Sequence, residues 1–157
     1  MNRKLVKIYL NDHLAGSVVG RELAKRCLAN NRDTPLGRYL ETFLEQQAED
    51  QETLQRVMRR LRVRRTRWKL AAAWGAERVG RIKLNGRISS YSPLSRLIEL
   101  EGLLLGVEGK RAAWSSLRYL GLQPLAGLDL DALIRRSEDQ QARFERFRLQ
   151  AASEALA

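Results

Sequence analysis

Apolar residues recur three or four positions apart along most of the chain, and this spacing limits the possible folds more than any other feature. Leu10 and Leu14 follow it near the start, and Leu97, Leu100 and Leu104 follow it later. The spacing matches the 3.6-residue turn of an α-helix, so each stretch carries an apolar stripe along one side. Helices with such stripes bury them against one another. The sequence therefore predicts an all-α protein built as a helical bundle.

Short motifs indicate where these helices begin and end. Thr34-Pro35 and Ser92-Pro93 each place a hydroxyl at the N-cap and a proline at the first helical position. Asn85-Gly86 favours a turn, and Gly121 favours a left-handed helix end. The predicted helices cover approximately residues 5–28, 35–61, 68–84, 93–120 and 130–156.

Two of the motifs occur twice at similar spacing. Val19-Gly20-Arg21 returns as Val79-Gly80-Arg81, and Thr34-Pro35-Leu36 is matched by Ser92-Pro93-Leu94. This repetition predicts a duplicated helical hairpin. The two hairpins would cover residues of about 5–61 and 68–120.

Two such hairpins can bury their apolar stripes by packing against each other. We therefore predict a single domain over residues 1–157, folded as an antiparallel four-helix bundle with ferritin-like topology. Residues 130–156 carry a fully charged face, which predicts a fifth helix added at the surface with one stripe docked.

The chain is strongly basic, with 29 lysines and arginines against 18 acids and a formal net charge of +11. Such a charge attracts nucleic acid, an anionic membrane surface or an acidic protein, and it also keeps a monomer in solution. Cys27 has no second cysteine to pair with, which fits a reducing cytoplasm. Residues 2–13 do not resemble a secretory signal peptide, and charges interrupt the apolar residues 94–107. We predict a cytoplasmic protein that does not insert into a membrane.

Acidic residues fall within the apolar rows of two predicted helices. Glu101 and Glu108 follow Leu94 and Ile98 at helical spacing on the fourth helix, and Asp50 lies in a similar row on the second. Burying an unpaired carboxylate is costly, so such residues must be paired, protonated or bound to a metal.

Two interpretations of these acids stay open. In the first, arginines placed equivalently in the two hairpins form internal ion pairs with them. The candidate residues are Arg21, Arg81, Glu49, Asp50 and Glu108. In the second, the carboxylates and the only histidine bind a metal ion, although the chain has no Glu-x-x-His motif of the kind that di-iron bundles use. The candidate ligands are His13, Asp50, Glu101 and Glu108. No other cofactor is expected.

A basic run separates the second and third predicted helices. Its members could neutralise several phosphates, and Trp68 could stack on a base or pack in the core instead. A charge run between helices is also commonly just solvated, and no helix-turn-helix or zinc finger accompanies this one. The basic residues are Arg56, Arg59, Arg60, Arg62, Arg64, Arg65, Arg67 and Lys69.

Motifs of nucleophilic catalysis and phosphate-binding loops are absent from the sequence, which favours a protein that is not an enzyme. Several glycines fall inside predicted helices, where each is less favourable than alanine by about 1 kcal/mol. We expect them to let neighbouring helices approach closely. They are Gly16, Gly20, Gly102, Gly106 and Gly109.

Several strings together resemble an uncharacterised family of bacterial proteins with a ferritin-like bundle. They are Tyr9-Leu10-Asn11-Asp12-His13-Leu14-Ala15-Gly16, Thr34-Pro35-Leu36, Lys83-Leu84-Asn85-Gly86-Arg87, Ser92-Pro93-Leu94-Ser95, Leu100-Glu101-Gly102 and Gly106-Val107-Glu108-Gly109-Lys110. The resemblance covers residues of about 5–149 and implies the fold but no activity. We therefore expect a non-catalytic bundle that associates with a protein partner or with itself. The alternatives are a divergent metal-binding protein and a nucleic-acid-binding accessory protein.

Overall fold

The computed structural model describes residues 2–66 and 91–157, and in these two ranges the chain is helical with no strand. The third predicted helix, at about 68–84, and with it one arm of the second predicted hairpin, lies outside the described residues. The helices are α1 (Arg3–Ala29), α2 (Pro35–Arg60), α3 (Pro93–Tyr119) and α4 (Leu130–Leu156), and a short 3₁₀ turn spans Gln123–Leu125.

The helix starts use the predicted capping residues. The Thr34 hydroxyl accepts a hydrogen bond from the Gly37 N–H at 3.1 Å, and the Ser92 hydroxyl accepts one from the Ser95 N–H at 3.1 Å. These bonds satisfy N–H groups that a helix start otherwise leaves without partners. At the other end of α3, Gly121 adopts a φ of +52°, as the sequence predicted. Both proline starts and this helix end are therefore confirmed.

The four described helices pack as a bundle. α1 contacts α2 and α3, while α4 contacts α3 extensively and α2 more sparsely. Among the described residues, no Cα atom of α1 lies within 8 Å of one in α4, and none of α2 lies within 8 Å of one in α3, so the closely packed pairs form a ring in the order α1, α2, α4, α3. The C-terminal helix is thus a member of the bundle. Its Phe144 is completely buried, which a helix merely added to the surface would not require.

The core consists of two apolar clusters, one toward each end of the bundle. One cluster joins the second halves of α1 and α4 to the first halves of α2 and α3, and it contains the edge-to-face rings of Phe43 and Phe144. The other joins the first halves of α1 and α4 to the second halves of α2 and α3, around Met58 and Trp114. Polar residues and glycines occupy the level between the two clusters, and the candidate site lies there.

Each of the four helices has 26 or 27 residues, which is enough to cross a bilayer at about 1.5 Å per residue. None of these described helices, however, combines that length with the apolar character that a membrane span needs.

Candidate functional site

A lysine with a largely buried side chain lies at the level between the two apolar clusters. Lys110 Nζ on α3 donates to Asp50 Oδ2 at 2.6 Å, to Gln140 Oε1 at 2.7 Å and to Gln47 Oε1 at 3.0 Å. An ammonium group has three protons, so these acceptors use all of its donors. The Lys110 and Asp50 side chains are only 12% and 5% exposed. Burial lowers the pKa of Lys110, and the Asp50 carboxylate opposes that shift.

Other charged groups complete this cluster from α4 and α2. Arg136 on α4 lies 3.5 Å from the second carboxylate oxygen of Asp50 and binds the exposed Glu49 at 2.6 Å. The Phe43 ring centroid is 5.5 Å from Lys110 Nζ. Because every charge here has a partner, the cluster links three helices through ion pairs and hydrogen bonds.

The acids of α2 form ion pairs with other residues than the predicted arginines. Arg21 was predicted to pair with Asp50 or Glu49. The structure pairs Asp50 with Lys110 and Arg136, and it pairs Glu49 with Arg136. Arg21 instead lies 3.8 Å from Glu22 on its own helix. Its predicted equivalent, Arg81, lies outside the described residues.

The predicted acidic row of α3 faces outward. Glu101 is exposed, and Leu105 in the same row is 76% exposed. The Glu108 side chain is 47% exposed, and its hydrogen bonds from Arg111 and Gln141 hold the pKa of its carboxyl below the usual value. α3 has apolar residues on two neighbouring faces. The face that is buried is not the predicted row but the one that begins with leucines three positions apart. Its members are Leu97, Leu100, Leu103, Val107, Trp114 and Leu117.

The four candidate metal ligands do not come together. His13 is half-buried on α1, where its ring packs edge-on against Tyr9 and burial lowers its pKa. Asp50 is held by Lys110, while Glu101 and Glu108 lie on the outer side of α3. Across residues 2–66 and 91–157, no three histidine, cysteine or acidic side chains are grouped as a metal site would require.

Sequence reasoning missed a second buried acid, Glu99. Arg26 Nε donates to it at 2.6 Å, and the Tyr91 hydroxyl donates to its other oxygen at 3.1 Å. Tyr91 also accepts a hydrogen bond from Asn31 and lies 3.9 Å from the Cys27 sulfur. Burial raises the pKa of the Cys27 thiol to about 12. The thiol therefore stays protonated and is a packing group, not a nucleophile.

We expect the Cys27 thiol to make the protein less stable in alkali. The unfolded thiol loses its proton above pH 9, whereas the folded thiol keeps it up to about pH 12. The free energy of unfolding should therefore fall as pH rises above 9, by up to about 1.4 kcal/mol per pH unit for this group. Urea unfolding of the wild type and Cys27→Ala at pH 8, 9 and 10 measures this, and the variant should show the shallower decline. Parallel declines would contradict the assignment.

Basic residues from two distant parts of the sequence lie together at one end of the bundle. Arg3 and Lys7 of α1 line a shared groove with Arg62 and Arg64, which follow α2. Asn11 holds this arrangement, because its side chain accepts from the Thr66 N–H at 2.7 Å and donates to the Arg64 carbonyl at 3.3 Å. We name as the basic end nine exposed residues, Arg3, Lys4, Lys7, Arg56, Arg59, Arg60, Arg62, Arg64 and Arg65.

The charges of the basic end are not neutralised within the described part of the chain. None of the nine forms an ion pair with an acid of residues 2–66 or 91–157. Arg60 donates to the Ala126 carbonyl and Arg65 to Gln55, both of which are uncharged. Arg67 and Lys69 of the predicted run lie outside the described residues. The contribution of α1 is not visible in the sequence, because about 50 residues separate it from the run.

No protein-family model, curated protein or solved structure matches the chain.

Proposed function

We propose that this protein is a non-catalytic helical bundle that acts by binding another macromolecule through its basic end, and that this partner is a nucleic acid. The observation that carries the proposal is the groove that Arg3 and Lys7 of α1 share with Arg62 and Arg64, beside which five further exposed cations follow on the same stretches of chain. No acid of the described chain forms an ion pair with any of the nine. Clustered lysine and arginine on one face is the electrostatic footprint of phosphate-backbone binding.

The high proportion of arginine in the basic end favours a partner with phosphate groups over a protein surface with carboxylates. Seven of the nine residues are arginines, whose planar guanidinium can bind two phosphate oxygens at once. Arg62 also adopts a φ of +54°, a left-handed conformation that glycine would take more easily. Because arginine is less favourable than glycine in this conformation, its presence supports a role for the charge of Arg62. No base-reading motif accompanies the basic end, so we propose binding that depends on charge and not on base sequence.

We also propose that the bundle has a ferritin-like, antiparallel topology. Support comes from the two core clusters, which place the end of α1 beside the start of α2, and the start of α3 beside the end of α4. Ferritin-like bundles join two antiparallel hairpins by one long crossover. Here Thr66 is bonded beside α1 at one end of the bundle, and Tyr91 is bonded to Asn31 at the other. In the proposed arrangement the second hairpin consists of α3 and α4, and not of residues of about 68–120 as the sequence predicted.

Titration of a fluorescein-labelled DNA duplex at several salt concentrations tests the nucleic-acid proposal. The affinity should fall steeply with salt, because bound phosphates release counterions. The triple variant Lys7→Gln, Arg59→Gln and Arg64→Gln removes three cations of the basic end. It should bind more weakly and lower the slope of log K against log salt by about 2.7, since each phosphate contact contributes about 0.9.

A control variant removes the same number of positive charges from a different part of the bundle. Arg32→Gln, Arg38→Gln and Arg146→Gln remove three exposed arginines near the other end of the bundle. This variant should retain the wild-type slope. Equal losses in the two triple variants would mean that only net charge matters, and no binding of the duplex by the wild type would exclude the proposed partner. Either result overturns the proposal.

A further inference from the structure

A groove of about 630 Å³ lies between the first part of α2 and the second part of α4. These two helices pack against each other only sparsely, which leaves the space between them open. The groove is at the opposite end of α2 from the basic end, and none of the nine residues of the basic end lines it. Its volume falls within the range of roughly 300–1,000 Å³ that is usual for small-molecule sites.

Three arginines line this groove, and no acid of the described chain does. Arg143 and Arg146 are three positions apart on α4, and Arg38 faces them from α2. Residues three apart on a helix share a face, so the guanidinium groups meet in the same space. None of the three forms an ion pair with an acid of residues 2–66 or 91–157. Like charges in one groove repel each other, and a bound anion would relieve this repulsion.

The acids on either side of the groove do not compensate these charges. Asp139, one turn before Arg143 on α4, belongs to no ion pair among the described residues. Glu154, one turn after Gln150, is bound by Arg96 at 2.7 Å and by the Gln150 side chain at 3.0 Å. Asp139 alone could not neutralise three arginines, so the groove stays positively charged.

Aromatic rings form an apolar wall beside the arginines. The Tyr39 and Phe147 rings are nearly parallel, with an angle of 24° and centroids 5.7 Å apart, and Tyr39 packs edge-on against the buried Phe144. The Arg143 guanidinium lies 5.7 Å from the Tyr39 ring centroid, a cation–π distance that keeps its charge next to the rings. Phe147 is only partly buried and, with the exposed Pro35, offers apolar surface to the groove.

We propose that this groove binds a phosphate monoester that carries an aromatic ring. The phosphate group has three terminal oxygens and a charge of about −1.5 to −2 at pH 7, and it lies between the three arginines, each of which can donate two hydrogen bonds at once. The ring packs on Phe147 and Pro35. A carboxylate has two oxygens and a single charge, so it would compensate less of the arginine cluster. This site is additional to the proposed nucleic-acid binding and does not depend on it.

Phenyl phosphate is the probe, with methyl phosphate and benzoate as comparisons. In NMR titrations of ¹⁵N-labelled protein at pH 7, we expect phenyl phosphate to bind saturably and to shift the backbone amide signals of residues 35–42 and 143–150. Methyl phosphate lacks the ring and benzoate lacks the second charge. Each should therefore bind about tenfold more weakly than phenyl phosphate.

Single variants separate the charge from the ring. Arg143→Gln should bind phenyl phosphate about tenfold more weakly, because it removes one of the three cations. Arg135→Gln removes an exposed arginine of the same helix outside the groove and should leave the binding unchanged. Phe147→Leu should weaken the binding of phenyl phosphate but not that of methyl phosphate. Thermal unfolding shows that each variant is folded.

The two triple variants of the duplex experiment distinguish this site from the basic end. The control variant lacks Arg38 and Arg146, so it should bind phenyl phosphate about a hundredfold more weakly while it retains duplex binding. The variant of the basic end keeps all three groove arginines and should bind phenyl phosphate as the wild type does.

Four results would overturn the proposed phosphate site. Phenyl phosphate might fail to bind, or its amide shifts might fall at the basic end instead of the groove. Methyl phosphate or benzoate might bind as tightly as phenyl phosphate, or Arg143→Gln might bind it as tightly as Arg135→Gln does. If phenyl phosphate binds as expected but the duplex does not, only the nucleic-acid proposal fails.

Discussion

Replacing Asp50 with leucine is expected to lower the free energy of unfolding by about 3–5 kcal/mol, because the buried Lys110 ammonium loses its closest charged partner. Gln47 and Gln140 would remain as acceptors, but neither carries a charge. Lys110 would then be ionised inside the bundle without its carboxylate partner, or it would lose its proton, and both cost free energy. Urea unfolding at pH 7 measures the difference.

Removing both charges should recover most of this loss. In the double variant Asp50→Leu and Lys110→Met, no uncompensated ammonium remains, and replacing a whole buried pair by apolar residues is often neutral or stabilising. Arg136 keeps its contact with Glu49, so it gains no new unpaired charge. If the double variant is as unstable as the sum of the two single variants, Asp50 and Lys110 are not energetically coupled. The exposed exchange Asp131→Asn is a control that should change stability little.

The sequence indicated one half of this ion pair and missed the other. Asp50 follows Phe43 and Gln47 at helical spacing, which marks it as a residue on the buried face of α2. Lys110 follows Leu103 and Val107 on α3 in the same manner and was equally visible. Which cation meets which acid depends on how α2, α3 and α4 are placed relative to one another. A periodic pattern on a single helix does not contain that information.

The ends of the helices were the more predictable part of the fold. Capping groups and prolines act over three or four residues, so the start of α2 at Pro35 and of α3 at Pro93 could be read directly. The role of α4 was harder to predict. Its charged face suggested a surface helix, yet the opposite face buries Phe144 and Gln140 against its neighbours. Amphipathicity alone does not distinguish a helix that completes a core from one that covers it.

The basic end and the glycines inside the helices also depend on how the helices pack. The run of arginines around Arg56 was visible as a cluster, because its members are close in sequence. Arg3 and Lys7 join them only through the packing of α1 against α2. The sequence predicted that helical glycines allow close helix contact, which holds at Gly102, where an added Cβ would lie 3.0 Å from the Leu23 side chain. At Gly16, Gly106 and Gly109 an added Cβ would meet no described atom within 4 Å, so the prediction is wrong at these three positions. Which of the two occurs depends on the neighbouring helix.

Gly37→Ala is expected to be strongly destabilising, although glycine to alanine within a helix is normally favourable. Gly37 lies in the first turn of α2, beneath the turn that leads out of α1. A Cβ there would overlap the Asn31 carbonyl oxygen and lie 2.6 Å from the Arg32 carbonyl oxygen. Both are backbone atoms, which cannot move aside as the end of a flexible side chain could.

The turn has little freedom to adjust, because its groups are bonded to other elements. The Asn31 side chain donates to the Cys27 carbonyl at 2.7 Å and to the Tyr91 hydroxyl at 2.9 Å. The Thr34 hydroxyl donates to the Asn31 carbonyl at 2.7 Å and accepts from the Gly37 N–H. Relieving the overlap would require these bonds to lengthen together. We therefore expect Gly37→Ala to lower the free energy of unfolding by about 3 kcal/mol, at the upper end of overpacking effects.

Gly16→Ala makes the same chemical change where there is room for it. An added Cβ there meets no described atom within 4 Å, so the ordinary preference of a helix for alanine should raise the free energy of unfolding by up to about 1 kcal/mol. Urea unfolding of both variants under identical conditions gives the comparison. Opposite signs are expected, since one glycine is needed for close backbone approach and the other lines open space. If both variants were stabilised, the tight contact between the turn and α2 would be refuted.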